Sequence, residues 1–195
     1  MHMTDTKQTK TIGEHHVASE LARRGWAPAM TRDGIARTDI LAVMTKGDYR
    51  RLVEIQVKTA TGPKFEDISW PLGSKAQDPV STEQEYFVLV AIPDDLSLSP
   101  RNFVVPRRHL AAGAWIEHMH WLTDPTVEVG RRNAGVDRAR SSLKTFEAYE
   151  NRWDFLLLDQ KDAPVLLPSE FREWAQLNLV GLPLNHPWRD SLPNW

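Results

Sequence analysis

The chain has 195 residues, of which 41% are hydrophobic and 26% are charged, a composition that suits one domain with a sizeable core, or a core with an appendage. It contains no cysteine, which excludes a disulfide framework and a thiolate metal site and is typical of a reducing cytosol. The net charge of −2 excludes a strongly basic protein, so any binding of nucleic acid would depend on a local basic patch.

Residues 1–11 are polar, and we expect a disordered N-terminus. These residues carry no apolar segment after their charges, so they do not resemble a secretory signal. No apolar run elsewhere approaches the roughly 18 residues that a membrane-spanning helix needs. The sequence therefore indicates a cytoplasmic protein without a membrane partner.

The first predicted element is a helix over residues 12–24, which Gly25 ends in the position where left-handed backbone geometry costs least. Glu14 shares a helical face with apolar residues further along the helix, so it should face the sheet. Thr11 and Glu14 also match a capping box, in which Glu14 would accept a hydrogen bond from the Thr11 backbone amide. A structural role and a role as a metal ligand are both open for Glu14, and the two can coexist.

Strands are predicted next. They comprise a short strand over residues 26–31, then a turn at Asp33-Gly34, then a hairpin with strands over residues 38–45 and 50–59 closed by Lys46-Gly47-Asp48. Asp39 stands at the start of the first hairpin strand. An acid in that position would either accept hydrogen bonds from loop amides or supply a carboxylate to a hard divalent cation.

The second hairpin strand alternates strictly between two faces. Three apolar residues fall on one face, and Glu54, Gln56 and Lys58 fall on the other. A solvent-facing polar stripe would explain this pattern on an edge strand. The strand should be central, however, and there a lysine is poorly placed for solubility alone, so this polar face is a candidate functional surface.

The remaining elements follow from shorter patterns. Before residue 121 we expect a short strand over residues 65–70, a polar loop over 71–81, a central buried strand over 85–92, a short strand over 102–105 and a helix over 106–120. After residue 121 the periodicity weakens, and we expect a helix over 141–151, a strand over 153–159, a short helix over 168–176 and an irregular proline-rich end.

The order of these polar residues carries a family resemblance. Glu14 in a helix, Asp39 at the start of one strand and Gln56-Val57-Lys58 in the next resemble the signature of the PD-(D/E)XK nuclease superfamily, over residues 12–120. The closest similarity is to small bacterial families with the pattern Gly-Glu, Asp-Ile, Gln-Val-Lys-Thr. The resemblance implies an α/β, restriction-endonuclease-like αβββαβ core. Its mixed central sheet would be flanked by helices, with residues 121–195 as a C-terminal extension packed on that core.

The resemblance also implies a function. Glu14, Asp39 and Gln56 would bind Mg²⁺ or Mn²⁺, and Lys58 would orient the nucleophile or stabilise charge on the phosphate. The implied activity is metal-dependent hydrolysis of phosphodiester bonds, with DNA as the expected nucleic-acid partner. A homodimer would fit this activity, because cleavage of both strands of a DNA duplex needs two cuts.

Two positions depart from the family pattern. Thr38 replaces the proline before the aspartate, and Gln56 replaces the usual acid, which removes one negative charge from the metal site. An amide still offers a carbonyl oxygen, and Glu54 could supply a migrated carboxylate. The departure at Gln56 keeps an alternative open, namely a catalytically degraded module of the same fold that binds nucleic acid or protein, as a component of a defence or toxin system.

Basic and histidine-rich segments complete the set of candidates. Arg131, Arg132, Arg138 and Arg140 lie in a segment with little periodicity, which suits either phosphate contacts or a solvated loop. Arg107-Arg108-His109 is expected to be ordinary surface. His15-His16 and His118-x-His120 lack cysteines and a recognisable third ligand, so we do not expect a zinc site.

Overall fold

A computed structural model describes residues 6–31 and 36–195. In chain order the α-helices and strands are α1 (Thr6–Arg23), β1 (Ala27–Met30), β2 (Ile40–Lys46), β3 (Tyr49–Gly62), β4 (Ser69–Pro71), α2 (Ser74–Gln77), β5 (Glu85–Pro93), β6 (Arg101–Pro106), α3 (Arg107–Leu122), β7 (Arg140–Ser142) and α4 (Ser169–Trp174). None of the described helices is long and apolar enough to cross a membrane.

The central sheet is mixed and has the order β1-β2-β3-β5-β6, with β3 in the middle. Strand β3 pairs with β5 in parallel, and the other neighbouring strands of this sheet are antiparallel. Strands β4 and β7 form a separate antiparallel pair. The expected α/β class with a mixed, helix-flanked sheet is therefore confirmed. In the αβββαβ order, a second helix follows the third strand. At that place, between β3 and β5, this chain has the four-residue α2.

The hairpin of β2 and β3 forms as the alternation predicts. Lys46 pairs with Tyr49, so Gly47 and Asp48 make a two-residue turn, and Gly47 has a φ of 61°, as such hairpin turns require. Val53 and Ile55 are fully buried on the apolar face of β3. The turn predicted at Asp33-Gly34 lies outside the described residues.

Helix α1 packs on the apolar face of β3, and it begins earlier than predicted. It starts at Thr6, so residues 6–11 are helical and not disordered, while residues 1–5 lie outside the described part of the chain. The capping box is wrong for the same reason, because Thr11 is inside the helix and its hydroxyl donates to the Lys7 carbonyl at 2.9 Å. The end of the helix is confirmed by Gly25, whose φ is 83°.

Residues beyond α3 join the same hydrophobic core as the sheet, through side chains such as Phe146 and Phe155. The helix predicted over 141–151 is confirmed only in part: residues 140–142 form β7, and the helical stretch that follows, Leu143–Tyr149, is 3₁₀ with a kink at Phe146. Its buried apolar residues Leu143, Phe146 and Tyr149 stand three positions apart.

The strand predicted over residues 153–159 is wrong. The chain there forms a second 3₁₀ helix, Trp153–Leu157. A short apolar run does not by itself distinguish a strand from a helical turn. The predicted short helix over 168–176 is confirmed as α4, and the predicted strands over 26–31, 85–92 and 102–105 correspond to β1, β5 and β6.

Two buried and neutral histidines, His109 and His186, take part in the contacts between α3 and the segments that follow it. His186 donates from Nε2 to the Arg108 carbonyl at 2.9 Å and accepts the Trp188 amide on Nδ1 at 3.2 Å. His109 Nδ1 lies 3.1 Å from the Tyr149 hydroxyl, which itself accepts the Leu166 amide. Burial lowers the pKa of His109 to about 3 and that of His186 to about 4. A proton on Nδ1 of His186 would remove the acceptor for Trp188.

We expect the free energy of unfolding to fall as the pH is lowered below the ordinary histidine pKa of 6.5. The unfolded chain then binds protons at His109 and His186, whereas both side chains stay neutral in the folded state. The stability that they contribute is therefore fully present above that pH and is lost as the pH falls towards their folded-state pKa values. The loss should be on the order of 2–4 kcal/mol between about pH 7 and about pH 5. Urea unfolding over this range measures it. The variant His186→Asn should reduce the pH slope by about half, and a flat wild-type profile would contradict the prediction.

Candidate functional site

Asp39 is held against the middle of β3 by backbone hydrogen bonds. Its own N–H donates to the Ile55 carbonyl at 2.9 Å, and its Oδ2 accepts the Val57 amide at 2.8 Å. Asp39 therefore accepts a backbone amide, but from strand β3 and not from a loop as expected, and this bond uses one of the two carboxylate oxygens. Asp39, Gln56 and Lys58 line one pocket of about 300 Å³.

Glu14 reaches the same place from α1. A pocket of about 660 Å³ adjoins the first one and is lined by Glu14 and Asp39 together. The helix comes this close because Gly13 has no side chain, since a Cβ there would lie 1.7 Å from the Thr59 hydroxyl on β3. The structure thus brings the four predicted site residues into two pockets that share Asp39.

Lys10, which the sequence reasoning missed, lies between the two carboxylates. Its Nζ is 3.4 Å from Glu14 Oε1 and 3.6 Å from Asp39 Oδ1. It stands one helical turn before Glu14, on the same face of α1. The sequence signal was that spacing of four, but it was unusable while residues before Ile12 were expected to be disordered.

The two carboxylates repel each other when both are charged. Burial raises the pKa of Glu14, and the nearby negative charge of Asp39 raises it further, while Lys10 opposes the shift. Oε1 of Glu14 is buried and accepts no hydrogen bond from the described residues. A cation between the carboxylates relieves this repulsion, and Lys10 supplies one positive charge there.

Lys58 is partly withdrawn from solvent on the polar face of β3. Burial lowers the pKa of its ammonium group; the Asp39 carboxylate counteracts the shift, and the positive charges of Lys10, Arg107 and Lys75 add to it. Lys58 shares its pocket with the ammonium group of Lys10 as well as with Asp39. An anion such as a phosphate would be attracted to the two ammonium groups.

Gln56 has a buried neighbour that sequence reasoning misjudged. Arg107 was expected on the ordinary surface, but it is 1% exposed. Its Nη1 donates to Gln56 Oε1 over a long 3.4 Å, and its Nε lies 3.1 Å from Glu85 Oε2. Burial lowers the pKa of Arg107 to about 10. The available signal was Glu85, an acid opening an otherwise apolar buried strand, which requires a basic partner.

Glu54 does not take the place of a missing metal ligand in this structure. Its Oε2 accepts a hydrogen bond from the Thr38 hydroxyl at 2.9 Å. Glu54 is not among the described residues that line the two pockets at Asp39. The metal-ligand candidates that lie in these pockets are Glu14, Asp39 and Gln56.

The four arginines predicted to contact nucleic acid separate into two groups. Arg131, Arg132 and Arg138 pair with nearby acids, namely Glu128 at 3.3 Å, Asp124 at 3.1 Å and Asp137 at 4.0 Å. Arg140 instead donates to the Ser69 hydroxyl and carbonyl at 3.0 and 2.6 Å. Arg140 also lines a pocket of about 270 Å³ that contains Thr59 of β3.

Two of the histidines considered for zinc, His118 and His120, have other contacts. His118 Nε2 bonds the Ala134 carbonyl at 3.0 Å, and the His120 ring stacks on Trp174 at 3.6 Å. The described residues contain no group of three His, Asp or Glu side chains placed to hold a metal ion. A metal at the candidate site would therefore use the two carboxylates and the amide oxygen of Gln56.

This chain was compared with protein families, with curated proteins and with solved structures. No family model, curated protein or solved structure matches this chain. The reading of the site therefore depends on its own geometry and charges.

Proposed function

We propose that this protein is a metal-dependent nuclease of the PD-(D/E)XK type that hydrolyses phosphodiester bonds in DNA. The observation that supports the proposal most is that Asp39 lines two pockets, one with Glu14 and the other with Gln56 and Lys58. These residues come from α1, from the position before β2 and from β3, so residues distant in the sequence meet around Asp39.

The donor set fits a hard divalent cation. Glu14 offers Oε1, which is buried, and Asp39 offers Oδ1, since its Oδ2 bonds the Val57 amide. Both oxygens lie within 3.6 Å of the Lys10 ammonium group, which a metal would displace. Gln56 adds an amide oxygen. Carboxylate and carbonyl oxygens are the ligands that Mg²⁺ and Mn²⁺ prefer. When bound, such a metal polarises the phosphate and lowers the pKa of a coordinated water.

Lys58 and Arg107 contribute charge and position. The Lys58 ammonium group lines the same pocket as Asp39, where it would hold a phosphate oxygen and stabilise the charge that develops during hydrolysis. Arg107 contacts the Gln56 amide oxygen and is itself anchored by Glu85. Arg107 therefore orients Gln56 and leaves its second lone pair for another partner.

Two observations favour a second candidate, a catalytically degraded module that binds nucleic acid or protein. The Gln56 oxygen already accepts from Arg107, and Lys10 already lies between the two carboxylates. Both features weaken a metal site. The two candidates are separated by a cleavage assay with Mg²⁺ and Mn²⁺ on plasmid, linear and single-stranded DNA, and sedimentation of the same samples tests the expected homodimer.

Replacing Asp39 or Lys58 should abolish cleavage. We choose Asp39→Asn because it keeps an oxygen for the Val57 amide, and Lys58→Met because it keeps the aliphatic stem. Each should lower the rate of plasmid nicking by at least about a hundredfold, the usual effect of removing one group that stabilises the transition state. Lys46→Met, at the exposed end of β2, is the matched control. Wild-type rates in both site variants would reject the catalytic assignment.

Restoring the acid at position 56 should strengthen metal binding. In Gln56→Glu a third carboxylate faces the cation, and we expect Mg²⁺ affinity to rise by about tenfold, which corresponds to about 1.4 kcal/mol. Isothermal titration calorimetry with Mg²⁺ and with Mn²⁺ measures the change. An unchanged or weaker affinity would count against Gln56 as a ligand.

Removing Lys10 should also strengthen metal binding. A divalent cation has to displace the Lys10 ammonium group from two half-exposed ion pairs, each of which contributes roughly 0.5–1 kcal/mol. Lys10→Met should therefore raise Mg²⁺ affinity by about tenfold, whereas Lys46→Met should leave it unchanged. Weaker binding by Lys10→Met would show that the carboxylates do not share a site with an added cation.

A further inference from the structure

We propose that a nucleic-acid strand crosses the cleft along one continuous groove, and that Arg140 at the far end of this groove binds a phosphate flanking the one at Lys58. The inference rests on the proposed function, because it takes Asp39 and Lys58 as the place of the reacting phosphate. It assigns to Arg140 a role that Arg131, Arg132 and Arg138 do not share.

Shared wall residues show that the three pockets are neighbours. The pocket of about 660 Å³ that contains Glu14 has Lys10 and Asp39 in common with the pocket of about 300 Å³ that contains Lys58. The latter has Thr6 and Thr59 in common with the pocket of about 270 Å³ that Arg140 closes. The path therefore runs from α1 across β3 to the small sheet of β4 and β7.

The walls suit phosphates. Among the described residues, the basic side chains of these walls are Lys7, Lys10, Lys58 and Arg140, and the acids are Glu14, Asp39 and Asp67. The end towards Arg140 also carries the hydroxyl groups of several threonines and of Ser69, which are common donors to phosphate oxygens.

The walls do not suit the recognition of bases. The described residues that line the three pockets include no Phe, Tyr or Trp side chain on which a base could stack. Contacts along this path would therefore be made with the sugar-phosphate backbone. Such contacts position a strand without reading its sequence.

Arg140 is held in place before any ligand arrives. Arg140 stands opposite Pro71 in the antiparallel pairing of β7 with β4, and its guanidinium donates to the Ser69 hydroxyl and carbonyl. These two bonds use two of the five N–H donors of the guanidinium, so donors remain for a phosphate. The side chain itself is exposed at the rim of the pocket. An arginine fixed in this way loses little entropy when it binds.

The test is DNA binding without cleavage. Binding of a labelled single-stranded oligonucleotide and of its duplex is measured by fluorescence anisotropy with the full chain in EDTA, over a series of salt concentrations. Arg140→Ala should lower the affinity several-fold. It should also flatten the slope of log K against log salt by about 0.7 for the single strand and about 0.9 for the duplex.

Two further variants separate a phosphate contact from a structural effect. Arg131→Ala removes an exposed, ion-paired arginine outside the groove, and it should change neither affinity nor slope. Arg140→Lys keeps the charge, so it should keep most of the salt slope. A wild-type affinity and slope in Arg140→Ala would overturn the inference, as would an equal loss in Arg131→Ala.

The role of Arg140 and the nuclease proposal can each fail without the other. If Arg140→Ala weakens binding but the wild type cuts no DNA with Mg²⁺ or Mn²⁺, the groove stands and the nuclease proposal fails. If the wild type cuts DNA and Arg140→Ala binds and cuts as the wild type does, the nuclease proposal stands and the role of Arg140 is wrong.

Discussion

The contact between Gly13 of α1 and Thr59 of β3 is the constraint on which the candidate site depends. The helix can lie this close to the strand because Gly13 lacks the Cβ that would meet the Thr59 hydroxyl at 1.7 Å. Thr59 is β-branched and has few rotamers with which to move away. The residue after Gly13 is Glu14, and one turn earlier is Lys10, so this contact brings both beside Asp39.

The electrostatics of the cleft follow from that approach. Two carboxylates share one region with the ammonium group of Lys10, while Lys58 and the buried Arg107 add positive charge on the polar face of β3. The carboxylates attract cations and the basic groups attract anions. Under the proposed function, these properties would suit a metal and a phosphate that bind together, and each would lower the cost of bringing in the other.

The second sheet extends the site beyond the core that the sequence pattern marks. Strand β4 follows β3 closely in the chain, whereas β7 comes about seventy residues later, after α3. Their pairing places Ser69 opposite Ser142 and holds Arg140 at the pocket of about 270 Å³ that contains Thr59. The segment after α3 therefore contributes both to the hydrophobic core and to the walls beside the candidate site.

The sequence by itself determined the elements with local signals. The alternation of β3, a hairpin turn containing Gly47 and Asp48, the apolar run of β5 and the glycine after α1 each depend on neighbouring residues, so each could be predicted. The polar face with Gln56 and Lys58 could be found in the same way. The 3₁₀ segments after β7 could not, because short apolar runs fit several structures.

Only the tertiary structure decided which residues surround those predicted positions. The burial of Arg107 depends on β5 lying beside β3 and on Glu85 facing α3, a parallel pairing that local sequence does not specify. The place of Lys10 depends on how closely α1 approaches the sheet, and that of Arg140 on the pairing of β4 with β7. Contacts between distant segments are selected by the packing of the whole chain, so residue type and spacing along the sequence do not reveal them.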